Sequence, residues 1–204
     1  DALLGIASSG AHSNGFSLIR RVLPDLDEDF GGMPLGMALL EPTRLYVKPI
    51  LGLMEEVEIR GMAHITGGGF YENIPRMFPQ SPEGGALLDA LIRDPWGGPE
   101  GPGPGIPGRA WTVPPLFARI AYGVSGGPLR GAAAQEAGME RLRTDGVLRK
   151  LMFNTFNMGI GFVLALAPGD IPKAAAYLDC RGFPAWEIGR VEAPKGRTGE
   201  LRFV

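Results

Sequence analysis

Short apolar runs alternate along this chain with clusters of glycine, proline and small polar residues, and each run has the length of one strand or one short helix. Leu3 to Ala7 reads as a strand ended by Ser8-Ser9-Gly10. A helix follows, with Ser13 or Asn14 as its cap, Phe16, Ile19 and Leu23 on one face and Pro24 marking its end. Asp25 to Asp29 reads as a solvated acidic loop punctuated by Gly31-Gly32. In LLEPTRLYVKPILGLMEEV, Pro42 suits an early helical position, and Leu45, Pro49, Leu53 and Val57 at helical spacing predict a helix interrupted near Pro49. Arg44 and Lys48 would share a face of that helix, directed to solvent or to a phosphate. Met62 to Ile65 and Leu87 to Ile92 are strand-like, and Pro114-Pro115 opens a helix carrying Leu116, Phe117 and Ile120.

The last third is more regular. Gly146 to Phe153 predicts a helix, Asn157-Met158-Gly159 a turn, Ile160 to Ala167 a strand and Asp170 to Arg181 a helix with Ile171, Ala175 and Leu178 inward. Ala185 to Val191 and Leu201 to Val204 alternate as strands. Interleaved strands and helices predict an α/β (α+β) domain, with helices packed on a mixed sheet. Two stretches break the rhythm. Residues 95–108 hold eleven glycines or prolines in fourteen positions, and Ser125 to Gly138 is rich in small residues. Both read as surface insertions, the first mobile and the second helical at most over Ala132 to Ala137.

The stretch with the most chemistry is GMAHITGGGFYENIPR, Gly61 to Arg76. It has the order strand, glycine turn, helix start. Glycines at 67, 68 and 69 permit backbone torsions closed to other residues and bare the main-chain N–H groups, which at a helix N-terminus favour phosphate or carboxylate. His64, Thr66, Glu72, Asn73 and Arg76 flank the same mouth. An ordinary turn beside a packed His64 is the competing reading. The segment from His12 through Ser13, Asn14 and Gly15 is a second helix start after a strand, and so a second candidate anion site or a plain helix cap with a surface histidine. Neighbouring strands of one sheet would set these two turns side by side around one anion.

Composition narrows the classes. With 204 residues, 45% apolar and 21% charged, the chain has the make-up of one soluble globular domain. A net charge of −2 leaves no basic excess for nucleic acid. The longest apolar run, Ile160 to Ala167, contains a glycine and falls far short of the roughly 20 residues that span a bilayer. Cys180 is the lone cysteine, which excludes an internal disulfide or a multi-cysteine zinc site and fits the cytosol. The opening Asp1-Ala2-Leu3-Leu4 has no initiating Met and no signal-like character, and suggests a piece of something longer.

Four blocks, GIASSGAHSNGFSLIRRV, LLEPTRLYVKPIL, GMAHITGGGFYENIPR and TFNMGIGFVLAL, resemble in wording and order the C-terminal half of the aminoimidazole ribonucleotide synthetase (phosphoribosylformylglycinamidine cyclo-ligase) family. Phe16 stands where that family commonly has tyrosine, and the stretches 81–108 and 124–145 look longer than usual. The resemblance implies the C-terminal domain of an enzyme of purine biosynthesis. In that family ATP phosphorylates the formyl oxygen of formylglycinamidine ribonucleotide, a nitrogen of the same molecule closes the imidazole ring, and ADP and phosphate leave. The resemblance also implies ATP and magnesium held mainly by an N-terminal half that is not in this chain, and a homodimer at full length. On this domain it implies substrate contacts at His12, Ser13, Asn14, Gly15, Thr66, Gly67, Gly68, Gly69 and Asn73, with His64 as the candidate catalytic residue and no metal ligand. A non-catalytic, cyclo-ligase-like binding domain is the alternative.

Overall fold

The computed structural model describes residues 1–96, 111–196 and 198–204. Almost all of the glycine- and proline-rich stretch 95–108 lies outside the described residues. The apolar runs become strands β1 (Ala2–Ala7), β2 (Gly61–His64), β3 (Asp89–Ile92), β4 (Ile160–Leu166), β5 (Ala185–Glu192) and β6 (Leu201–Phe203). They form one six-stranded sheet in the order β2-β4-β1-β5-β3-β6. The pairs are antiparallel except β3 with β6, which is parallel, so the sheet is mixed as expected. All six residues of β1 are buried, in keeping with its unbroken apolar run and its place inside the sheet.

Alternate strand residues feed two cores, because successive side chains point to opposite faces. On one face Leu3, Ala63, Val163, Ala165 and Ile188 pack with α1 (Phe16–Val22), α2 (Leu35–Leu39), α4 (Gly69–Arg76), α5 (Pro115–Ser125), α6 (Gly131–Thr144) and α7 (Gly146–Thr155). On the other, Ala2, Leu4, Ile6, Leu164 and Leu166 pack with α3 (Val47–Leu53) and α8 (Ile171–Asp179). Pro115 occupies the first turn of α5 as predicted, and the Asp145 carboxylate caps α7 by accepting from the Val147 and Leu148 N–H groups at 2.9 and 3.0 Å.

Several expectations are corrected. The run around Pro49 is not one interrupted helix: residues 41–46 are irregular, and α3 begins at Val47 with Pro49 in its first turn, where a missing N–H costs nothing. Arg44 therefore lies outside α3 and shares no helix face with Lys48; its guanidinium donates to the Gly182 carbonyl at 3.0 Å and covers the Phe183 ring. The short helix α2 went unpredicted. Residues 131–144 form a fourteen-residue helix rather than a short one, because its small residues serve packing. A Cβ built at Gly138 would lie 1.9 Å from the Ala118 carbonyl oxygen, so only glycine lets α6 approach α5 so closely.

The acidic loop is not uniformly solvated either. Glu28 is 7% exposed and Arg119, in the middle of α5, only 2%. Arg119 donates through Nε and Nη2 to the two Glu28 carboxylate oxygens at 2.6 and 2.9 Å. A two-pronged, charge-assisted contact of this kind clamps the loop between α1 and α2 onto α5. Removing one partner of a buried pair leaves the other charge stranded, at a cost of about 3–5 kcal/mol. Glu28→Gln is thus expected to destabilise the fold on that scale in urea unfolding; a loss below about 1 kcal/mol would mean that water reaches Arg119.

Candidate functional site

β1 and β2 both run antiparallel to β4, which lies between them, and so end on the same side of the sheet. The two loops predicted to meet do so, although their strands are not neighbours as expected but stand one strand apart, about 10 Å. A Cβ built on Gly67 would lie 3.9 Å from Asn14 Oδ1, and the rings of His12 and His64 are 6.3 Å apart between centroids.

Each loop ends at a helix whose N-cap is a left-handed glycine. Gly15 (φ 74°) opens α1 and Gly68 (φ 88°) opens α4, and neither helix has a side-chain cap, so the expected capping by Ser13 or Asn14 is replaced by backbone geometry. The three consecutive glycines have three different reasons. Gly69 (φ 53°) lies against the end of α7, where a Cβ would fall 2.0 Å from the Phe153 carbonyl oxygen. Gly68 needs its positive φ, and a Cβ there would strike the Glu72 side chain. Gly67 alone has no positive φ, and among the described residues a Cβ there would meet only Asn14, in ordinary contact at 3.9 Å.

Asn73 braces this loop. It is buried, and its amide nitrogen donates to the Gly69 and Gly67 carbonyls at 2.7 and 3.2 Å while its oxygen accepts from the Thr66 hydroxyl at 3.3 Å. Its polar atoms are spent on shaping the turn. Ser13 is exposed and Asn14 half-buried beside the gap.

The histidines stand in an aromatic cluster. His64, at the end of β2 with its outer side in solvent, stacks on Phe162 at 5.7 Å and meets the edge of Tyr46 at 5.8 Å; partial burial lowers its pKa from the usual histidine value. His12 is 5% exposed and takes the left-handed backbone conformation at φ 54°. Its Nε2 accepts from the Ser9 N–H at 3.3 Å, which places the neutral ring's proton on Nδ1, and Nδ1 has no partner among the described residues. A buried donor left unsatisfied costs about 1–3 kcal/mol, the kind of local cost that collects at working sites. Burial, then the neighbouring His64 and Arg44, lower the His12 pKa to about 4. Tyr46 donates its hydroxyl to the Ala7 carbonyl at 2.8 Å, and burial raises its pKa. Room for both rings exists because residue 161 is glycine: a Cβ there would lie 2.0 Å from the Tyr46 hydroxyl and 2.7 Å from His12 Cε1.

Tyr46, Phe162 and Asn157 belong to this region and were not singled out as site residues from the sequence. Tyr46 and Asn157 sit inside the EPTRLYV and TFNMG blocks, which was the available signal. Among the described residues no group of three or more His, Cys, Asp or Glu is placed to hold a metal ion. No helix among the described residues is long and apolar enough to cross a membrane.

A mixed α/β domain with two glycine-capped helices converging at one end of its sheet is thus the class that fold and site define. The family described as AIR synthase related protein, C-terminal domain, matches residues 1–201, and the chain belongs to it. It is 40% identical over 193 residues to the phosphoribosylformylglycinamidine cyclo-ligase of Clostridium perfringens (strain ATCC 13124), an alignment covering 95% of this chain and 46% of that protein. Proteins of the same name from Methylobacillus flagellatus and Paraburkholderia phymatum are 38% and 39% identical over 197 and 208 residues, covering 95% and 100% of this chain and 45% and 46% of theirs. The chain spans somewhat under half the length of these curated relatives.

The depressed pKa of His12 has a sign. Unfolded, His12 takes its proton near pH 6.5; folded, it stays neutral down to about pH 4. The stability it contributes is complete above pH 6.5 and is lost as pH falls through that window, by about 3 kcal/mol at most. The melting temperature is expected to drop between pH 7 and 4.5, and His12→Asn, which tolerates the left-handed backbone, to flatten that slope. An equal slope in both proteins would contradict the assignment.

Proposed function

We propose that this domain forms the substrate side of an ATP-dependent cyclo-ligase that closes formylglycinamidine ribonucleotide to aminoimidazole ribonucleotide, and that the gap between His12–Gly15 and Thr66–Gly69 takes the ribose phosphate of that substrate. The observation that carries the reading is the meeting of these two loops, where a Cβ built on Gly67 would lie 3.9 Å from Asn14 Oδ1, with helix N-termini that lack a side-chain cap behind them. The identity to proteins named as that cyclo-ligase, over nearly the whole chain, supports the same reading. ATP and magnesium are assigned to the remainder of the enzyme, which in the relatives is the larger part.

The reaction asks for placement more than for reactive groups, since nucleophile and electrophile belong to one substrate. Backbone amides supply that placement: hydrogen bonds to a charged group contribute about 1.5–3 kcal/mol each, against about 0.3–1 kcal/mol for an exposed helix terminus, so the bonds decide the affinity and the dipole does not. His64 is the group assigned to proton transfer. It is open to solvent on one side, and a lowered pKa leaves its ring neutral at pH 7 and able to accept a proton.

Gly67→Val is the direct test, because a side chain there fills the gap without strain in the loop. Calorimetric titration with ribose 5-phosphate is expected to show binding to the chain and its weakening by about tenfold or more in the variant, with the melting temperature nearly unchanged. Equal affinity in both proteins would place the phosphate elsewhere.

A further inference from the structure

The segment that joins α7 to β4 touches both loops without belonging to either. The Phe153 carbonyl lies against Gly69, and the Phe156 ring against Gly15, where a Cβ would be 2.2 Å from Phe156 Cε1. Asn157 follows, 1% exposed. Its side-chain oxygen accepts from the Gly159 N–H at 2.9 Å, a bond that closes its own turn. Two further bonds leave the turn. The same oxygen accepts from the Ser8 hydroxyl at 3.0 Å, and the amide nitrogen donates to the Gly10 carbonyl at 2.8 Å.

Those partners stand at the root of the first loop. The Ser8 N–H donates to the Gly159 carbonyl at 2.9 Å, and Ser9 is held between them, its N–H on His12 Nε2 at 3.3 Å and its hydroxyl on the Pro42 carbonyl at 2.6 Å. Asn157 therefore grips the chain on both sides of the residue that His12 contacts. The turn that presents it is itself tightly held: Met158 is buried at φ 49° with its carbonyl accepting from the Trp111 indole at 3.2 Å, and a Cβ on Gly159 would lie 2.5 Å from Pro114. Asx-type closure of this turn needs the Gly159 bond only. The bonds to Ser8 and Gly10 serve the loop.

We propose that Asn157 is a positioning residue for the phosphate gap: by fixing Ser8 and Gly10 it sets where His12–Gly15 stand relative to Gly67–Gly69, while Phe153, four residues earlier, sets the other side. The inference rests on the phosphate reading given above. Asn73 does for the glycine loop from within what Asn157 does for the His12 loop from outside, so the two buried asparagines hold the two walls of one gap.

The test is ribose 5-phosphate titration of the whole chain at a temperature well below melting, with folding checked by circular dichroism. Three variants are compared with the unaltered chain. Asn157→Ala removes all three side-chain bonds, Asn157→Asp keeps the acceptor used by Gly159 and Ser8 but not the donor to Gly10, and Ser8→Ala removes one bond alone. Both Asn157 variants are expected to bind about tenfold or more weakly and Ser8→Ala about two- to fivefold more weakly, each loss persisting while the protein is fully folded. A residue that serves stability alone would lower the melting temperature and leave the affinity of the folded chain unmoved. Unaltered affinity in Asn157→Asp and Ser8→Ala overturns the proposal even if Asn157→Ala fails to fold. Absence of binding to the unaltered chain overturns the phosphate reading itself, and this inference with it.

Discussion

Contacts that admit no Cβ hold the candidate site together. The end of α7 meets the glycine loop at the Phe153 carbonyl and the His12 loop at the Phe156 ring, and at both places only a glycine fits. A third such contact, Gly161 beneath Tyr46 and His12, lets the rings lie on the sheet. Interiors packed at this density transmit position, so the separation of the loops is set by backbone thickness rather than by side-chain choice. Loops held this way need no ligand to bring them together, and a phosphate arriving in the gap would forgo much of the ordering cost of binding.

The sheet supplies the frame on which those contacts act. β1 and β2 deliver their loops to one end because both pair antiparallel with β4, and β4 carries the bulge at Gly161 between them. Farther off, the Glu28–Arg119 pair and the close approach of α6 to α5 at Gly138 secure the helical layer against which α1 rests. The neutral His12, unsatisfied at Nδ1 and left-handed in its backbone, is the locally unfavourable element that this frame supports.

Much of this was legible in the sequence, and what was not has a physical reason. Strands β1, β2 and β4 and helix α8 were readable because an apolar run bounded by glycine, proline or a polar cap leaves few alternatives. The meeting of HSNG with HITGGG followed from two strand-to-helix turns of the same kind, though the place of β4 between their strands was not legible, since pairing order is a long-range property. Local patterns misled where a residue type has two uses: Pro49 breaks a helix interior but suits a first turn, and the alanines and glycines of α6 look like low complexity until Ala118 is seen against Gly138. Glu28 looked solvated because its partner lies 91 residues away. Asn157 passed for a turn residue because its bonds to Ser8 and Gly10 reach 149 and 147 residues back along the chain. The hydrogen bonds from Asn73 to the loop carbonyls were not legible either, because they depend on how the glycine turn folds back over α4.

The central claim is that two loops far apart in sequence form one anion site. Nitrogen-15 NMR of the chain, titrated with ribose 5-phosphate, reads this residue by residue. The amides of Asn14 to Ser17 and of Gly67 to Phe70 are expected to shift together, along one saturation curve, with Asn73 and Asn157 side-chain amides following. Shifts confined to one loop, or two curves with different midpoints, would contradict a shared site.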